Sequence, residues 1–168
     1  DATGKLVMPG GIDSHCHIDQ RSSGGGRNSE TFESGTRSAA CGGTTTIICF
    51  AAQEKGELLT PVVEEYHEKA KRSCVDYSFH LIISDPSDQV MNEEVPKLIE
   101  SGHRSLKLFM TYPRNRLNDA EILKVLEVAK LNQALVCVHA ENHDAIMYMT
   151  EKLLAADKNI TKHHAWAK

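Results

Sequence analysis

The sequence has no run of about 18 apolar residues, so no segment reads as a membrane-spanning helix. No charged-then-apolar stretch of signal-peptide pattern opens it. It also lacks a basic stripe: 19 lysines and arginines face 23 acidic residues, for a net charge of -4. That balance argues against nucleic acid as a partner, and a membrane partner is not expected either. A disulfide framework is missing too. Five cysteines, Cys16, Cys41, Cys49, Cys74 and Cys137, are an odd number without regular spacing. Cys16, Cys49 and Cys137 lie in or beside apolar runs, which suits a reducing compartment, and a cytoplasmic location is expected. No internal repeat or low-complexity linker appears.

What is present is the composition of a globular protein, 40% hydrophobic and 25% charged. A chain of 168 residues suits one domain spanning 1–168. The first residue is Asp1 rather than Met, and the opening reads as the middle of something, so an excised or processed piece is expected.

Short apolar runs alternate with helical patterns. The first run is Leu6-Val7-Met8, followed by Pro9-Gly10-Gly11-Ile12-Asp13. A Gly-rich loop, Ser22 to Gly26, lacks the lysine and serine of a phosphate loop and reads as a mobile flap. Asn28, Ser29 and Thr31 are candidate caps of a helix that ends at Gly42-Gly43. The β-branched run Thr44 to Phe50 predicts a buried strand. A helix from about Thr60 to Ser73 has Pro61 in its first turn. Phe79 to Ile83 is a third strand, and Asp88 is placed to cap a helix running to Gly102. Ser105 to Met110 is the fourth strand. Asn118 and Glu121 form a capping box, Leu135 to His139 is the fifth strand, and a helix from Glu141 to Ala156 follows.

Strands separated by single helices imply right-handed βαβ units and a parallel sheet. Either a doubly wound sheet or a (β/α) barrel cut short satisfies the pattern. An eight-stranded barrel takes about 250 residues, so this chain is too short to close one.

The polar residues of these runs suggest chemistry. His15 and His17 share one face of an extended segment, because side chains alternate with period two. His139 ends the fifth run, and Lys107 sits inside the fourth between Leu106 and Leu108. In parallel α/β folds such positions lie near the C-terminal ends of strands, where active sites are built. Converging imidazoles suit a zinc-like ion. An ammonium buried without a partner is costly, and desolvation or neighbouring cations favour its neutral amine. A neutral amine can add carbon dioxide, becoming a carbamate anion able to bridge two metals.

Four segments carry a resemblance: Pro9 to His17 with its H-x-H, Gly42-Gly43-Thr44-Thr45-Thr46, Ser105 to Tyr112, and Val138-His139-Ala140-Glu141-Asn142. In this order they resemble the amidohydrolase superfamily, in its dihydropyrimidinase and D-hydantoinase branch. The resemblance implies a (β/α) TIM-type barrel, present as its first part of about five βα units. It implies that His15 and His17 hold one metal, Lys107 bridges two as a carbamate, and His139 serves the second. Tyr112 resembles the tyrosine that contacts the substrate carbonyl and stabilises the oxyanion. Two divalent ions, zinc or manganese, and a carbon dioxide adduct on Lys107 are the implied cofactors. A metal-bridging hydroxide would open hydantoins or dihydropyrimidines to N-carbamoyl amino acids, in a homotetrameric parent. A further metal-binding histidine, a catalytic aspartate and the family's β-sandwich strands find no match, so the isolated piece is expected to be inactive. Allantoinase, dihydroorotase and a non-catalytic dihydropyrimidinase-like scaffold are the rival readings.

Each residue also has a plainer reading. His15 and His17 could be a solvated turn pair, Lys107 a snorkelling lysine, and His139 a core histidine. Tyr112, before Pro113, could simply shape a turn. His80 reads as a buried structural group, and His143 as either at the mouth of the site or in solvent. His67 and His103 read as surface residues. His163 and His164 point to different helix faces, and alternation turns Cys16 away from the histidines into the core.

Overall fold

The computed structural model describes residues 1–21, 26–158 and 160–168. Five strands, β1 (Gly11–Asp13), β2 (Thr44–Ala52), β3 (Asp76–Ile82), β4 (Ser105–Phe109) and β5 (Leu135–His139), form one sheet. Every pairing is parallel and the spatial order is β1-β2-β3-β4-β5. A doubly wound sheet reverses direction at a switch point. This one never does, and the fold is a partial TIM-type barrel.

The helices are α1 (Phe32–Cys41), α2 (Leu59–Ala70), α3 (Val95–Glu100), α4 (Asp119–Leu131), α5 (His143–Ala155) and α6 (Ile160–Ala167), with a π-helical turn, Val90–Glu94, leading into α3. Local chemistry explains their starts. Thr31 is the cap of α1, in a reciprocal pair with Ser34, and Asn118 with Glu121 caps α4. Asn142 caps α5 through the Ala145 amide.

Two expectations are corrected. Asp88 caps nothing and pairs instead with Lys124 at 2.6 Å, while the Val90 amide finds the Ser87 hydroxyl at 3.4 Å. Leu6-Val7-Met8 is not a strand: Leu6 is 87% exposed, and pairing begins only at Gly11. The tight contact there needs glycine. A Cβ on Gly10 would lie 2.2 Å from Thr45 Cγ2. The predicted flap at Ser22 to Gly25 lies outside the described residues.

The period of two divides the sheet into two faces. Ile47, Cys49, Ala51, Phe79, Leu81, Leu106 and Leu108 pack beneath the helices in one core with Val63, Tyr66, Met91, Val95 and Val125. The alternate residues, Phe50, His80, Lys107, Phe109 and His139, belong to the inner face. Register carries them across the sheet, with Phe50 opposite His80, Ile82 opposite Lys107, and Phe109 opposite His139. Cys16 leaves the histidine face as expected, its Sγ 3.5 Å from that of buried Cys49. The hydrogen-bonded pair divides unequally, lowering the Cys16 thiol pKa and raising that of Cys49. Among the described residues no helix is long and apolar enough to cross a membrane.

Candidate metal centre

A cavity of about 400 Å³ opens on the inner face. His15, His17, Lys107, Tyr112 and His139 all line it, joined by Gln20, Arg21, Asn28, Phe109 and Asn115. The five residues singled out in the sequence therefore meet in one place, although 124 positions separate His15 from His139.

Phe50 organises one side. Its ring stacks on His17 at 4.6 Å between centroids and meets His15 edge-on at 4.7 Å. His17 donates Nδ1–H to Gln20 Oε1 at 2.6 Å, which leaves Nε2 with its lone pair facing outward. Asn28 fastens the same segment by donating to the His17 carbonyl at 2.6 Å. The His15 imidazole is held below its ordinary pKa, first by burial and then by His17, Lys107 and His80. His80 is half-buried rather than buried, and it supports the site's backbone. Its Nε2–H donates to the Ser14 carbonyl at 2.8 Å and its Nδ1 accepts from Ser105 at 2.6 Å, anchoring the backbone just before His15.

Lys107 is 7% exposed, and among the described residues no carboxylate reaches its ammonium. Its Nζ lies 5.1 Å from the centroid of Phe109 and 5.9 Å from that of Phe50. Ring faces compensate a desolvated cation only partly. Conversion of the amine to an anion would remove the mismatch, so this lysine fits a carbamate.

On the far side His139 stacks on Phe109 and sits 5.1 Å from the Tyr112 ring. Its Nε2 is hydrogen-bonded to Glu141, so an ion on that nitrogen has to displace a carboxylate. The contact, with Lys168 behind it, keeps the Glu141 carboxyl below its ordinary pKa. Tyr112 has φ +68°, a left-handed conformation uncommon for an aromatic residue and doubly so before proline. Its carbonyl accepts from the amides of Asn115 and Arg116 at 2.9 and 2.8 Å, which holds the turn. The turn-shaping and cavity-facing readings of Tyr112 are therefore compatible.

Donor chemistry fits a divalent ion, with imidazole, carboxylate and an amine convertible to carbamate. Among the described residues, however, no three histidines, cysteines or acids already stand together as a closed ligand set. Arg21 brings a guanidinium to the rim but is tied to Glu57 at 3.1 Å and Glu65 at 3.3 Å. His143 lies outside this cavity, with Nδ1 3.3 Å from the Thr111 hydroxyl.

Phe50, Gln20, Asn28 and Glu141 are the participants that sequence reading missed. Glu141 alone had a local signal, two residues after His139. His67 and His103 were misplaced on the surface. They are half-buried and face each other, and burial followed by His67 lowers the pKa of His103.

The sequence profile of the amidohydrolase family matches residues 6–167. The chain belongs to the amidohydrolase family. Within that family it is 47% identical over 168 residues to the D-hydantoinase of Geobacillus stearothermophilus, covering 98% of this chain and 35% of that protein. The crystal structure of D-hydantoinase from Bacillus sp. AR9 superposes with a TM-score of 0.92 at 42% identity, over 100% of this chain and 37% of that one. Dihydropyrimidinase from Brevibacillus agri NCHU1002 gives 0.88 at 39% identity, over 99% and 38%. This amidohydrolase chain thus spans about 35% of the length of the curated relatives it matches.

Proposed function

We propose that this chain is the first part of the catalytic barrel of a cyclic amidase, one that hydrolyses hydantoins or dihydropyrimidines to N-carbamoyl amino acids. The observation that carries the reading is Lys107, nearly buried and without an anionic partner among the described residues, in one cavity with His15, His17 and His139. The names of its relatives, D-hydantoinase and dihydropyrimidinase, point to the same substrate class.

In this reading His15 and His17 would hold one divalent ion, His139 would hold a second, and Lys107, as its carbamate, would supply an anionic ligand. Two such ions, zinc or manganese, supply Lewis-acid polarisation of a carbonyl and an activated water. The chain's own residues do the positioning. Gln20 fixes the His17 tautomer, Phe50 seats both imidazoles, and His80 pins the Ser14 carbonyl. The Tyr112 hydroxyl donates to the substrate carbonyl oxygen as negative charge grows there, and the left-handed turn aims it. Residues beyond these are needed to complete the ligand set, so the chain by itself does not turn over substrate. The parent is a cytoplasmic homotetramer.

The test is turnover of hydantoin, dihydrouracil, allantoin and dihydroorotate by the longer protein that contains this barrel segment. Turnover of the first two, lost on Lys107→Ala, is the expected result. Activity confined to the last two overturns the substrate assignment. Less than about one metal per subunit overturns the enzymatic reading in favour of a scaffold.

A further inference from the structure

A second pair of imidazoles lies at the other end of the sheet, away from the cavity of His15 and Lys107. His67 is on the last turns of α2, and His103 is two residues ahead of β4. Both rings are half-buried, and their Nε2 atoms are 3.2 Å apart. They face a hollow of about 460 Å³ whose lining also includes Glu64 and Tyr77.

We propose that His67 and His103 form a second divalent-metal site of the zinc type, a staple between α2 and the entry to β4. Two imidazole nitrogens on a tetrahedral ion at about 2.0–2.1 Å lie about 3.3–3.4 Å from each other. The observed 3.2 Å is close to one edge of such a coordination tetrahedron.

The rings are also held from behind. His67 Nδ1 is 3.5 Å from the Tyr77 hydroxyl, and a proton on Nδ1 leaves the Nε2 lone pair outward. His67 meets Phe79 edge-on at 5.0 Å, and His103 faces the same ring at 6.3 Å with the planes 24° apart. Without an ion, one Nε2–H is shared between the two nitrogens. On metal binding that proton moves through solvent to Nδ1 of its own ring, and both imidazoles stay neutral.

Glu64 precedes His67 by three residues, on the same face of the helix, and offers a carboxylate to the same hollow. No third histidine, cysteine or acid already stands with the pair among the described residues, so water fills the remaining positions. The chemistry is that of an open, nitrogen-rich site, which suits zinc, nickel or copper over calcium or magnesium. It is independent of the cyclic-amidase reading, because no residue is shared.

The experiment is a zinc titration of the chain carrying His15→Asn, His17→Asn and His139→Asn, followed by imidazole nitrogen NMR and equilibrium dialysis. These three substitutions remove every imidazole proposed for the first site. The expected result is that the Nε2 resonances of His67 and His103 move together. One bound ion per chain is then lost in His67→Gln and in His103→Gln, and Tyr77→Phe weakens binding roughly tenfold. Movement of only one resonance, or of neither, at saturating zinc overturns the site and leaves a plain N–H···N hydrogen bond. So does a stoichiometry unchanged in both glutamine variants. The NMR readout uses the unsubstituted pair, so it decides the question even where a glutamine variant folds poorly.

Discussion

The centre of the sheet and its two flanks are built differently. In β2, β3 and β4, Ile47, Cys49, Phe79, Leu81, Leu106 and Leu108 are all buried to 1% exposure or less, and each strand is paired on both sides. At the flanks, all three residues of β1 are exposed, Ile12 at 68%, and Leu135 of β5 is 63% exposed. The chemistry straddles this divide. Lys107 is planted in the rigid centre, whereas His15 and His17 follow one flank and His139 closes the other. Lys107 is thus the best fixed of these side chains, and the imidazoles depend on neighbours such as Phe50 to hold them in place.

The most forceful way to break the contrast is Phe50→Ala. Phe50 is 2% exposed on β2 and carries both flank imidazoles, so truncation should cost about 3–5 kcal/mol in urea denaturation. A loss below about 1 kcal/mol would show that the inner face is not packed. Lys107→Met comes next, with the opposite sign. Replacing a nearly buried ammonium that has no anionic partner among the described residues by an apolar chain of similar length should be neutral or stabilise by about 1 kcal/mol, while removing metal retention. A clear destabilisation would mean that the cation itself supports the fold.

Ile12→Ala and Leu135→Ala should change stability by about 0.5 kcal/mol or less, since their side chains are exposed. Amide exchange sharpens this further: β2 and β3 should be protected longest, and β1 least. The smallest effect concerns Glu141. Its carboxyl should titrate below the ordinary 4.5, held there by His139 and then Lys168. Because its folded pKa is depressed, the contribution is present above the unfolded value and fades as pH falls through the folded one. Carboxyl-carbon NMR checks it, and Lys168→Ala should move the pKa back up.

The legible parts of the molecule were those written in short-range chemistry. The Asn118 and Glu121 cap, the β-branched Thr44–Phe50 run and the H-x-H alternation each act within seven residues or fewer, and each appears where expected. Asp88 was misread because two oxygen-bearing residues, Ser87 and Asp88, stand side by side and only the tertiary partner Lys124 decides between them. Leu6-Val7-Met8 is apolar enough for a strand, but hydropathy does not reveal whether a partner lies alongside. Phe50 against His17, and His67 against His103, are encounters across 33 and 36 positions. No local period encodes them. They follow from tertiary packing, since His17 lies past the end of β1, His67 on α2 and His103 ahead of β4.

The unbroken strand order also has a kinetic meaning. Each strand's partner is the one immediately before it in the chain, so the mean loop that must close is a single helix and its turns. A growing sheet of this kind needs no late segment to return and insert between earlier ones. The polypeptide can fold in the order in which it is translated, each arriving βα unit finding its template already laid down.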